Sequence, residues 1–324
     1  MRVTGVFLGL DWKGGDFPWL ARTAHDAVVE GWFFWAGLAA FGSSRLWSPR
    51  SLSERYASAA FFFLIVFTFG KKAGEALPSG VAWAESGMLF LWVAPLALAV
   101  LCRALPERAG WELPQEGAAR LGFWVLMLCG GWAGAARIAS GPVPAWIGTA
   151  GIASALLLVL AAVAWLTSLI PLLRSGGWGR IRYAKGGGFL LVAAIAFPVW
   201  LFLVWLTAFR SIGSHLHLTL FDAALDDLAV LALGAMALLG FFARASHWHR
   251  IAFWFCAGGL LFLIGGEAIG GVLQALAFTN PNVPFAAVGS LLAPFLWMRW
   301  IGWGLFEIGV VAYGLGCFGR GGDE

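Results

Sequence analysis

The chain has 324 residues, 60% of them hydrophobic and only 12% charged, with a mean hydropathy of +0.82. A soluble domain carries about 25% charged residues, so this composition excludes a soluble enzyme, a disordered tail and a nucleic-acid binder. The net charge of +4 sits between apolar runs, where it acts as a topology signal and not as a polyanion-binding surface.

A spanning helix needs about 20 mostly apolar residues. In chain order, runs of that size fall near 25–44, 56–72, 80–103, 119–139, 144–174, 184–212, 215–243, 249–278 and 284–318. They predict an all-α, polytopic membrane protein of about nine transmembrane helices, folded as a single transmembrane domain over 1–324. The last run is long for one span. Its Pro284 and Pro294 predict an interfacial segment leading into a helix near 297–318. The connections are short and rich in Gly, Pro and Arg, as in Ser48-Pro49-Arg50, Leu105-Pro106-Glu107-Arg108, Ser175-Gly176-Gly177 and Asn280-Pro281-Asn282. No repeat recurs at a fixed period, which disfavours an inverted-repeat transporter. The first 20 residues carry Asp11, Lys13 and Asp16 and no continuous apolar core, so no signal peptide is expected. Cys102, Cys129, Cys256 and Cys317 stand apart in apolar runs, outside any C-x-x-C. Covalently attached haem, a thiolate zinc site and disulfides are therefore not expected.

Connections after the odd-numbered helices hold 13 of the 21 Lys and Arg residues, among them Arg50, Arg108, Arg180, Arg182, Lys185, Arg244 and Arg250. The other side holds Arg2, Lys13, Arg22, Lys71, Lys72, Arg137, Arg210 and Arg299. The positive-inside rule predicts an outer N-terminus and a cytoplasmic C-terminus, in a bacterial inner membrane.

This topology sorts the five histidines. His25, His215 and His217 fall at the level of the outer leaflet. His247 and His249 fall in a cytoplasmic turn beside Arg244 and Arg250, as solvated turn residues. Ionisable groups at membrane depth default to functional candidates, and imidazole is a common axial ligand of haem iron. On a continuous helix, His215 and His217 point about 200° apart. Such a pair serves two sites, or else bonds loop carbonyls at the interface. Glu30, Glu85, Asp222, Asp226, Asp227, Glu267 and Glu307 also lie inside apolar runs. They read either as a proton route, with Glu85, Asp222, Asp226 and Glu267 as its candidates, or as partners of Arg137, Arg210 and backbone donors. The 20 Trp residues read chiefly as interfacial belts and lipid-facing bulk.

Arg22-Thr23-Ala24-His25, followed by an apolar helix with Gly37, resembles the second helix of haem-copper oxidase subunit I, closest to its nitric oxide reductase and C-type oxidase branch. His215-Leu216-His217, continuing to Asp222-Ala223, resembles the tenth helix of that fold. Phe253-Trp254 with Gly270 to Gln274 resembles the next helix. Pro294, Arg299, Gly302 and Gly309 resemble the last. Arg120-Leu121, Phe123-Trp124, Trp132-Ala133-Gly134, Pro144 and Trp146 resemble the seventh. The chain is thus similar to a trimmed member of this superfamily. The resemblance implies a low-spin haem b between His25 and His217, and a second haem on His215 or a relic of one. It also implies propionate contact for Arg299, with Arg137 and Arg210 at the same level as further candidates, against snorkelling to the interface.

Two windows depart from the family. Where it places metal-ligating histidines, this chain has Gly134-Ala135-Ala136-Arg137 and Val81 to Ser86. Glu85 alone does not hold a divalent metal, so no non-haem metal is expected, and the family's reduction of oxygen or nitric oxide with it. The expected function is a haem b membrane subunit of a respiratory or redox complex. It sits in membrane lipid and takes electrons from a cytochrome c or iron–sulfur subunit. Two alternatives stay open. One is a divergent nitric oxide reductase-like subunit with a five-coordinate haem on His215. The other is a cofactor-free structural subunit.

Overall fold

The structure, a computed structural model, describes residues 51–73, 86–109, 116–137, 145–244 and 246–318. The described chain is all-helical, without a strand, and six of its helices are long and apolar enough to cross a membrane. In order the helices are α1 (Leu52–Ala73), α2 (Ser86–Ala109), α3 (Glu116–Ala133), α4 (Trp146–Pro171), a short α5 (Trp178–Tyr183), α6 (Gly187–Ala208), a short α7 (Arg210–Leu216), α8 (Leu220–Phe242), α9 (His247–Thr279) and α10 (Phe285–Phe318).

The apolar runs from 80–103 and from 144–174 onward each yield one of the six spans. The runs 56–72 and 119–139 fold as α1 and α3. Those two helices are not among the six spans. The run at 25–44 lies outside the described residues.

Two sequence expectations are corrected. The last run is one continuous helix, α10, which passes through Pro294 instead of breaking before 297. A membrane helix tolerates such a proline because neighbouring groups take up the freed carbonyl. Nor does the His-x-His pair sit on a continuous helix. His215 lies in the last turn of α7, while His217, just past its end, leaves it with φ −62° and ψ 142°.

Burial ranks the elements. The most apolar stretch of α2 is 94% buried and that of α10 only 33%, so α2 runs through the core and α10 borders lipid. Around α2, Trp200 of α6 stacks on Phe90 at 4.7 Å, and Ser53 Oγ of α1 donates to the Ala99 carbonyl at 2.7 Å. Helices α9 and α10 form a hairpin closed by a seam of small residues. A Cβ on Gly302 would lie 2.5 Å from Leu263 N, and one on Gly259 would lie 2.6 Å from Phe306 N. Membrane helices approach this closely only where side chains are absent. At the other end of α6, Gly186 turns with φ 70°, and a Cβ on it would collide with the Gly240 carbonyl of α8. The α5–α6 and α8–α9 connections therefore share one end of the bundle.

Candidate functional site

The α7–α8 corner is built around Asp222. Thr219 caps α8: its Oγ1 accepts from Phe221 N at 3.2 Å and donates to the Leu216 carbonyl at 2.6 Å. That cap puts Asp222 in the first turn, with its carboxylate facing back over the corner. Oδ2 accepts from Leu218 N at 2.8 Å, and Oδ1 lies 3.2 Å from His217 Nδ1. Leu218, at φ 68°, is the one non-glycine residue with positive φ among the described residues. Asp222 thus holds a strained backbone amide and an imidazole at once.

An ionised carboxylate only accepts, so His217 Nδ1 carries the proton of this contact, and it is Nε2 that is left for a ligand-binding lone pair. Gly213 makes room for this ring. A Cβ there would collide with the Thr207 carbonyl and lie 3.0 Å from Nε2. Helix α9 braces the corner through Gln274 Oε1, which accepts from Leu220 N at 2.9 Å.

The remaining sequence candidates divide as follows. His215 and Arg210 are exposed on α7. Arg137 ends a 3₁₀ turn, Gly134–Arg137, and its side chain lies outside the described residues. His25 and Glu85 also lie outside them. Asp226 is half-buried on α8, one turn beyond Asp222.

Arg299 and Glu267 meet at depth, Nε to Oε1 at 2.7 Å, with side-chain exposures of 5% and 0%. The contact is short but unaligned, because neither atom completes a hydrogen bond. Asp227, 2% exposed, lies against the Glu267 carboxyl group and near the Arg299 charge. Arg299 Nη2, both Glu267 oxygens and Asp227 Oδ2 have no hydrogen-bond partner among the described residues. Asp227 was visible in the sequence only as one of several acids in apolar runs. The pairing of Asp227 and Glu267 across α8 and α9 had no local signal.

At the opposite end, His249 overturns the expectation of a solvated turn. It lies in the first turn of α9, 4% exposed. Its Nδ1 is 3.0 Å from the Arg244 carbonyl, and its ring packs on Tyr313 at 4.4 Å. The Ser246 cap starts α9 before the histidines and carries His249 into the α9–α10 groove. His247 is exposed, as expected.

No protein-family model and no curated protein matches the chain.

Proposed function

We propose that this chain is a haem b-binding membrane subunit that passes electrons within a redox complex. The observation that carries the proposal is the His217–Asp222 contact, 3.2 Å from Nδ1 to Oδ1. Metal-ligating histidines characteristically donate their second ring N–H to a carboxylate, which fixes the tautomer and raises ligand basicity. His217 has this arrangement, and the missing side chain of Gly213 leaves its Nε2 unblocked by a neighbouring Cβ. The donor chemistry of His217 therefore fits an axial ligand of haem iron.

His25 is the proposed second ligand, by the resemblance of its helix. His215, exposed beside this corner, is the candidate for a second haem. Arg210, on the same short helix as His215, and Arg137 are the proposed cations for propionates; Arg299, expected from the resemblance to share that role, is instead buried against Glu267, Nε to Oε1 at 2.7 Å. Bound haem b supplies a one-electron couple. The chain's own part is to hold the His217 ring and set its basicity through Asp222. Electrons would arrive from a cytochrome c or iron–sulfur partner.

The orientation is part of the proposal. Arg174, Arg180, Arg182, Lys185, Arg244 and Arg250 lie in or beside two connections that share one end of the bundle. Arg180 Nη1 also donates to the Ala109 carbonyl at 3.2 Å, which brings the end of α2 with Arg108 to the same side. The positive-inside rule makes that end cytoplasmic and the His217 corner external.

The test is a reduced-minus-oxidised spectrum of the purified protein, repeated for His25→Ala and His217→Ala. The proposal expects a low-spin haem b signature that both substitutions abolish. An unchanged signature in His217→Ala overturns it. A carbon monoxide shift in the reduced wild type would instead favour the five-coordinate alternative.

A further inference from the structure

Arg299, Glu267 and Asp227 each lie three or four residues from the midpoint of their spans, Ala287–Cys317, His247–Thr279 and Leu220–Phe242. At about 1.5 Å per residue, that places all three within about 6 Å of the middle of their helices, well inside the apolar spans. All three are displaced toward the same end, that of the α7–α8 corner and the α9–α10 turn. An unpaired charge at this depth is costly, so it calls for a partner.

Arg299 stays charged in any protein environment. It neutralises one carboxylate, and Glu267 Oε1 at 2.7 Å is that carboxylate. Asp227 is then a second acid in the same closed space with no cation of its own. Its contact is with Glu267, carboxyl to carboxyl, and both Glu267 oxygens and Asp227 Oδ2 lack a donor among the described residues. Two carboxylates that face each other have acceptors only, so a proton is the one group that can bond them. Arg299 already stands on the positive side of the cluster, which disfavours a metal cation there.

We propose that Asp227 and Glu267 form a membrane-buried proton-binding site beside Arg299, holding one proton between their carboxyl groups and exchanging it with water at the α7–α8 corner. The count then closes at neutrality: one guanidinium, one carboxylate and one carboxylic acid.

Polar residues are spaced along two helices between the site and the surface. On α8, Asp222 and Asp226 are four residues apart and share a face. On α9, Glu267 and Gln274 are seven apart and share another. His217 and Asp222, with side chains 26% and 25% exposed, meet water at the corner. The groups facing the pair are Asp226 from α8 and Arg299 from α10, and α6 contributes no ionisable residue. Directly after Asp227 the helix widens into a π-helical stretch, Leu228–Ala235. Such widened turns recur at functional sites.

The experiment is infrared spectroscopy of the protein in lipid nanodiscs at neutral pH, in light and heavy water. It does not rest on the haem proposal, because the carbonyl stretch of a protonated carboxylic acid is read with or without cofactor. The expected result is such a band, shifted in heavy water and abolished by Asp227→Asn and, separately, by Glu267→Gln. Loss in both variants marks the two acids as one coupled site with one proton, since a neutral acid independent of the other would answer to only one substitution. Asp222→Asn should retain the band and slow its isotope exchange several-fold. If either amide variant does not fold, the wild type with isotope-labelled aspartate, then glutamate, must show the band moving with both labels. Absence of the band, or a band indifferent to both substitutions or both labels, overturns the proposal.

Discussion

Three residues illustrate how local chemistry sets the energetics. Arg299 is buried with two acids, so removing it leaves the one carboxylate of the pair uncompensated in a low-dielectric space. Arg299→Leu should lower stability by about 3–5 kcal/mol. Asp227→Asn removes the surplus acid and should be neutral or stabilising. Thermal unfolding of the two variants in detergent checks the contrast, and equal losses would contradict it. Leu218 has φ 68° and a largely exposed side chain, at 74%. Leu218→Gly should therefore relieve strain without losing packing, a gain of about 0.5–1 kcal/mol net of glycine's entropy. At this scale the sequence was partly legible. His217, Asp222 and Glu267 were marked as polar residues in apolar runs. That Asp222 braces His217 was not, because it depends on Leu218 adopting a conformation that no sequence rule assigns to leucine.

At the scale of elements, hydropathy alone located six described spans in order. Apolar length carries that information directly, whereas packing decides the breaks and continuities. Pro294 does not stop α10, because the helix keeps the rest of its backbone ladder through the proline. The step from α7 to α8 does break, because Thr219 and Asp222 offer the backbone a cap in place of helical bonds. The α9–α10 seam permits a sharp contrast. Gly302→Ala would press a Cβ to 2.5 Å from Leu263 N, while Gly304→Ala would meet nothing within 4 Å. The first should cost about 1–3 kcal/mol by overpacking and the second almost nothing. Similar melting temperatures for both variants would mean that the two helices are not packed on this seam.

For the whole molecule, the basic connections gather at one end and the His217 corner lies toward the other. Cys317, exposed near the end of α10, should react with a membrane-impermeant maleimide only from the cytoplasmic side. A cysteine placed as Asn282→Cys, in the α9–α10 turn, should react only from the outside. The reverse pattern would invert the topology. The charge bias that predicts this was legible from composition by loop. The buried acid pair was not, because it joins helices 40 residues apart in sequence (Asp227 to Glu267). Nor does the sequence alone test the haem, which depends on His25 meeting His217 across the membrane domain. Pyridine haemochrome quantitation of the full chain, purified with its native partners, addresses that claim most directly. The account predicts at least one haem b per chain, lost on His217→Ala. A wild-type preparation with no haem b would contradict it and leave a structural membrane subunit with a buried charge cluster.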